Sequence, residues 1–152
     1  MRKFAKIREE FLMYGQNPDD IKLPIRATKH SVCYDIFSPI DEVIMPNEMK
    51  LIFTNVKVYC NSDEGFMLAT TSSMGKRGII IAQGVGIIES DYADNESNDG
   101  NVGVMLYNYS KNPYIINKGD KIGQLFFFKF LTIDNEEEIT NIRKGGFGST
   151  NK

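Results

Sequence analysis

Glu89 and Asp91 stand two apart, directly before Tyr92, in the stretch IAQGVGIIESDYADN at 81–95, just after glycines at 84 and 86. Two carboxylates beside a tyrosine, after a glycine-rich turn, are residue types from which a catalytic site could be built. SSMGKR at 72–77 has room for one helical turn, with Ser72 or Ser73 as N-cap and Gly78 just past its end. A serine there either simply caps the turn or offers its hydroxyl and the free N–H groups to an anion. Gln124 is the polar residue of KIGQLFF (121–127), so it finds a hydrogen-bond partner or costs about 1–3 kcal/mol. Asp35, after Tyr34, reads by default as a turn former, and a lone Tyr92 as packing. Arg143 precedes GGFGST (145–150), which combines glycines for freedom with Phe147 to stack, while Ser149, Thr150 and Arg143 could close over an anion. By composition alone that segment is a disordered tail; as the last of several site motifs it reads as a lid that excludes water.

The elements that must position these groups are mostly short strands. In NVGVMLYNY (101–109), Val102, Val104 and Leu106 alternate with Met105 and Tyr107, the period of a half-buried strand. LIFTNVKVYC (51–60) predicts Val56, Val58 and Cys60 inward, with Lys57 and Tyr59 outward. LFFFKFL (125–131) is apolar on nearly every residue, as in a strand covered on both faces or lodged against a neighbouring subunit. Pro46, Asn61-Ser62-Asp63, Asn98-Asp99-Gly100 and Lys118-Gly119-Asp120 mark turns at near-regular intervals, as in a sandwich or barrel. Phe4, Ile7, Phe11 and Leu12 fit either a first helix or a strand followed by a loop. The fold class is all-β with one short helix, and the chain divides into a β domain at 1–134 and a C-terminal arm at 135–152 that composition makes mobile.

Composition narrows the function. A chain of 152 residues holds one core, and 41% hydrophobic with 25% charged residues is the balance of a soluble globular domain. With 18 Lys+Arg against 20 Asp+Glu there is no basic footprint for a nucleic-acid polymer or an anionic membrane. Apolar runs such as GIII (78–81) and LFFF (125–128) fall far short of the roughly 18 residues that cross a bilayer. MRKFAKIREEF lacks the apolar segment of a secretory signal, and Cys33 and Cys60 have neither disulfide-framework nor metal-ligand spacing. The expected location is cytoplasmic.

Taken in order, ATKHSVCYDIFSP (27–39), TSSMGKRG (71–78), QGVGIIESDY (83–92), INKGDKIGQLFF (116–127) and RKGGFGST (143–150) resemble the five ordered motifs of the trimeric dUTPases, which cleave dUTP to dUMP and pyrophosphate. The resemblance implies a jelly-roll-like β-barrel assembling as a homotrimer, with three sites at subunit contacts and Mg2+ riding on the nucleotide phosphates. It implies that Glu89 is the general base, that Gln124 helps hold the attacking water, and that Asp35 belongs to the polar network behind the phosphates. Ser72, with Ser73 beside it, would hold the triphosphate. The Tyr92 ring would lie against the deoxyribose and exclude a 2′-hydroxyl. Gln83 and Gly86 belong to the hairpin whose backbone recognises the base. Arg143, Phe147, Gly148, Ser149 and Thr150 form the closing arm.

The chain also departs from that pattern. Glu89 stands where the family has aspartate, and one extra methylene can misplace a base by ~1 Å, worth on the order of 10²-fold in rate. Thr71 stands where the family has an arginine, the loss of a charged donor worth roughly 2–4 kcal/mol. Gln83 replaces an asparagine and Cys33 a glycine. These changes predict a protein that binds a deoxyuridine-type nucleotide with impaired hydrolysis, sequestering or sensing it; the alternative is a working dUTP diphosphatase.

Overall fold

The computed structural model of the chain describes residues 1–148. Among them, eleven strands, one short α-helix and three single 3-10 turns follow one another. The strands are β1 (Lys3–Lys6), β2 (Tyr34–Phe37), β3 (Glu42–Ile44), β4 (Met49–Phe53), β5 (Val56–Tyr59) and β6 (Glu64–Ala69); α1 (Ser72–Lys76) follows, and then β7 (Ile79–Ile81), β8 (Gly86–Glu89), β9 (Gly103–Asn108), β10 (Tyr114–Ile116) and β11 (Lys121–Lys129). The all-β expectation holds. The first segment is the strand-and-loop alternative: β1 pairs antiparallel with β5.

Two sheets carry the core between them. One has the order β2-β11-β6-β8, the other β4-β9-β7, and short pairs β1-β5 and β3-β10 close the sides. Alternation decides what they bury. Val104 and Leu106 of β9 and Ile52 of β4 point inward against Phe66 and Leu68 of β6 and Leu125 of β11, all essentially inaccessible. At about 25 cal/mol per Å2, each such side chain contributes roughly 1.5–3 kcal/mol relative to exposure. The predicted inward trio of β9 is borne out. Along β11, Leu125 is buried and Phe126, Phe127 and Phe128 are half-buried, while Phe130 and Leu131 lie beyond the strand and are exposed.

Three local expectations are corrected. The N-cap of α1 is Thr71, not Ser72 or Ser73: its backbone is extended, and its Oγ1 accepts the Met74 N–H at 3.3 Å. Lys57 is buried instead of outward, because residues 94–99 fold over it and bring two carboxylates to its ammonium. Asp35 sits within β2, where Lys121 Nζ approaches it at 2.6 Å, and forms no turn. The predicted turn at 98–100 is present, with Asp99 at φ +58 and Gly100 at φ +79. Among residues 130–148 there is neither helix nor strand.

Candidate active site

The predicted residues gather in two places. The first is a cavity of about 180 Å3 beside β8, lined by Gln83, Gly86, Glu89, Tyr92, Arg143 and Phe147 among others. Gly86 gives β8 its start: a Cβ there would come within 3.1 Å of the Leu68 side chain, which would have to give by a few tenths of an ångström. β8 ends on Glu89, whose carboxylate is exposed at the mouth, and the chain then makes a 3-10 turn at Ser90–Tyr92 that swings Tyr92 inward. Tyr92 is 6% exposed. Its hydroxyl donates to the Asn101 carbonyl at 2.9 Å and accepts from Asn98 Nδ2 at 2.8 Å.

The C-terminal segment completes this pocket. The Arg143 guanidinium donates to Glu89 Oε2 at 2.8 Å and to Asp91 Oδ1 at 2.7 Å, and reaches the Gly145 carbonyl at 3.3 Å. Gly146 lies so close to the Tyr92 ring that a Cβ would stand 2.6 Å from a ring carbon; only glycine lets the segment through. Phe147 packs edge-on against Phe53, centroids 6.0 Å apart, and remains more than half exposed at the rim. A stacking surface for a planar group is thus present. Gly148 follows at φ +90; Ser149 and Thr150 lie outside the described residues.

The second place is an open groove lined by Asp35, Thr71, Ser72, Ser73, Lys121 and Gln124, among others. Gln124 Nε2 donates to the Thr70 carbonyl at 3.0 Å, the structural bond that a half-buried amide needs, and its carbonyl oxygen is the atom left to hold a water. Ser72 and Ser73 are exposed beside it. Lys121 brings a cation to this groove, whereas Arg77, bonded to Ser73 and lying over the Tyr114 ring, belongs to the neighbouring surface. Thr71 is occupied as the helix cap.

The sheet register sets these two places well apart within one chain. Glu89 pairs with Gly65 on one side of β6, and Gln124 pairs with Ala69 on the other. Four residues along a strand and two inter-strand steps separate their Cα positions by roughly 16 Å. Both lie on the same outward face, since positions 65, 67 and 69 of β6 share it. Between them lies a row of Ile87, Met67 and Phe126, with Phe128 beside Glu89; Ile87 is 55% exposed and the other three are partly so. Glu89 and Gln124 therefore sit at opposite ends of an apolar strip that is partly exposed among the described residues.

Several groups at the site carry no motif. Asn95, Asn98 and Asn101 form a polar bracket around Tyr92. Asp99, fully buried, accepts from Lys57 Nζ at 2.9 Å and from the Arg8 backbone N–H and Nε at 2.9 and 2.8 Å. Burial works against the Asp99 carboxylate, but those bonds outweigh it and hold its pKa below the ordinary value. Burial likewise opposes the Lys57 ammonium, and the bonds to Asp94 and Asp99 again win, keeping it above its usual range. The asparagine-rich run ADNESNDGN was the visible signal.

Comparison with known proteins places this geometry. A family model described as dUTPase matches residues 19–151. The chain is 36% identical over 132 residues to the deoxyuridine 5'-triphosphate nucleotidohydrolase of Lactococcus lactis, across 86% of this chain and 88% of that protein. The crystal structure of the dUTPase from Streptococcus mutans matches with a TM-score of 0.74 at 27% identity, across 87% of this chain and 98% of that one. A variant of the phage phi11 dUTPase of S. aureus, whose structure shows the coordination of a structural Mg(II) ion, shares the fold with a TM-score of 0.69 at 21% identity, across 93% and 98% of the two chains.

Proposed function

The chain belongs to the dUTPase family, and from that premise we propose that it hydrolyses dUTP to dUMP and pyrophosphate at sites shared between the subunits of a homotrimer. The observation that carries this reading is the disposition of Glu89 and Gln124 on one outward sheet face, with an apolar strip between them. If three copies pack around an axis with that strip covered, the Glu89 end of one chain meets the Gln124 end of the next. Closed cyclic symmetry makes such head-to-tail contacts equivalent, so three complete sites form.

In such a site the cavity beside β8 takes the nucleoside. The Tyr92 ring walls the sugar, and the hairpin from Gln83 to Gly86 faces the base, with Phe147 stacking over it. The neighbour's Ser72, Ser73 and Lys121 receive the phosphates, and its Gln124 carbonyl holds a water. Glu89 accepts the proton of that water as its oxygen bonds to phosphorus. The α–β bridge breaks, and pyrophosphate departs with the bridging electrons. Arg143, bonded to Glu89 and Asp91, fixes the direction of the carboxylate and ties the closing segment to the pocket. The groove's oxygen donors, the Asp35 carboxylate, the hydroxyls of Ser31, Thr71, Ser72 and Ser73 and the Gln124 amide, would fit a Mg2+ that keeps its waters and takes its charged ligands from the phosphates. When bound, that ion neutralises charge developing on the leaving pyrophosphate.

The expectation of impaired hydrolysis, drawn from Glu89 and Thr71, finds no support in the comparisons, where the curated relatives are named nucleotidohydrolases. Glu89 keeps an acid at the mouth of the pocket and is oriented by Arg143; Lys121 supplies a cation to the groove that lacks the arginine. Free Cys33 and Cys60 support a reducing, intracellular setting. Pyrophosphate release with dUTP and Mg2+ tests the reading. Turnover at about 1–10 s⁻¹, with dCTP and dTTP hydrolysed far more slowly, is expected. Tight dUTP binding with no pyrophosphate released would return the protein to the nucleotide-holding role.

A further inference from the structure

We propose that Asn98 is a specificity-determining positioning residue: it fixes the plane of the Tyr92 ring and thereby sets how strongly the pocket rejects a nucleotide carrying a 2′-hydroxyl. The inference rests on the reading of the pocket as a nucleoside site and goes beyond it by assigning a role to a residue that touches no substrate.

A phenolic O–H lies near the plane of its ring, so a fixed acceptor for its proton and a fixed donor to its oxygen together resist rotation of the ring. Tyr92 has both. Its hydroxyl donates to the Asn101 carbonyl at 2.9 Å and accepts from Asn98 Nδ2 at 2.8 Å. Burial pushes the phenol's pKa up, which keeps the donor proton in place. The hydroxyl is therefore consumed behind the wall, and the ring presents carbon alone to the cavity. A substrate hydroxyl pressed against that wall loses its water and gains no partner.

Asn98 is itself held. Its Oδ1 accepts from Asn95 Nδ2 at 2.7 Å and from the Gly100 N–H at 3.1 Å, so the amide cannot turn away from Tyr92 without breaking both. Asn95 Nδ2 also donates to the Tyr92 carbonyl at 2.7 Å, binding the bracket to the backbone it supports. Next in sequence, buried Asp99 pins the loop to Lys57 and Arg8. Arg8 lies before residue 19, where the family match begins, so the N-terminal segment contributes to the stiffness of the wall. Gly100 at φ +79 packs so tightly that a Cβ would stand 2.7 Å from the Ala93 Cα, which leaves the loop no slack.

The experiment measures kcat/KM for dUTP and for UTP on the full-length protein with Mg2+, and takes their ratio. Tyr92→Ala tests the underlying reading and is expected to lower the ratio by about 10²-fold, the discrimination an apolar wall gives against a hydroxyl. Asn98→Ala is expected to lower it about fivefold to tenfold, with kcat for dUTP changed less than the ratio, as the loss of one buried hydrogen bond allows. Tyr92→Phe, which keeps the ring and removes its anchor, should do the same, and the double variant should do no more than either alone. Loss of folded protein would lower both substrates together and leave the ratio unmoved; Tyr92→Phe keeps the test open should Asn98→Ala fail to fold. A ratio within twofold of wild type in Asn98→Ala and Tyr92→Phe, while Tyr92→Ala collapses it, overturns the role of Asn98 and leaves the sugar wall standing. An unchanged ratio in Tyr92→Ala removes the wall itself and the proposal with it.

Discussion

Around Tyr92, three asparagines and a buried ion-pair cluster hold one aromatic ring, whereas Gln124, across the sheet, has the Thr70 carbonyl as its protein partner and Ser72 and Ser73 stand exposed. The pocket is complete within one chain and over-determined. The groove is open, with Ser72 and Ser73 exposed along it. A wall that must exclude one hydroxyl needs stiffness, and a single chain can supply it from its own loops. A site that must hold a triphosphate, a metal ion and a water needs convergence from several directions, and a small β domain obtains that by meeting a second copy. On the proposed function, chemistry falls at the junction of the two regions and discrimination belongs to the first.

Substitutions at the junction should have the largest effect. Glu89→Gln removes the proton acceptor while keeping size and the bond to Arg143, and turnover is expected to fall by about 10³-fold. Calorimetry with dUTP and Mg2+ should still show binding, because the pocket and the groove are intact. A tenfold loss or less would mean that another group takes the proton.

Gln124→Ala comes next. Removing one positioned polar group from the groove should cost about 10²-fold in kcat. The dUTP/UTP ratio should remain within twofold, since the sugar wall is on the other region. A change in that ratio would show that the two regions are coupled and the division drawn here is false.

The smallest effect concerns what stands behind the pocket. Asp99→Asn should destabilise the fold by about 2 kcal/mol at pH 7, because it leaves Lys57 with less compensation in a buried setting. The Asp99 carboxyl is held below its ordinary 3.8, so its contribution is fully present above that pH and fades as pH falls through the folded value. The gap between wild type and variant in urea unfolding should therefore begin to narrow as pH falls below about 4. A constant gap down to pH 3 would mean the charge on Asp99 is not what stabilises the loop.

Much of this could be read from residue order, and the failures share a cause. The alternation of Val102, Val104 and Leu106 predicted β9 because side-chain direction in a strand is a local property. Glu89, Tyr92 and Gln124 are candidates because they fall in motifs that resemble those of the dUTPases, and Gln124 also stands out as a polar residue in an apolar strand. Lys57 was misplaced because its burial depends on Asp94 and Asp99, some forty residues away and legible only once the loop has folded over β5. Thr71 escaped notice as the cap because Ser72 and Ser73 satisfy the same rule one and two residues later, and only the backbone angles choose among them. Asn98 belongs to no strand or helix, and an asparagine in a turn has an ordinary explanation in the turn itself. The separation of Glu89 from Gln124 was likewise invisible: motif order along a chain carries no distance.

The claim that the site is built from two chains can be tested by mixing subunits. Glu89→Gln and Gln124→Ala proteins, each nearly inactive, are combined in equal amounts, unfolded and refolded together, and assayed for pyrophosphate release from dUTP. If Glu89 and Gln124 of one site come from different protomers, about a quarter of the sites in randomly mixed trimers receive both intact groups, and about a quarter of wild-type activity returns. If the mixture stays as inactive as its components, with mixed trimers verified by mass, each site draws both residues from one chain and the composite site is wrong.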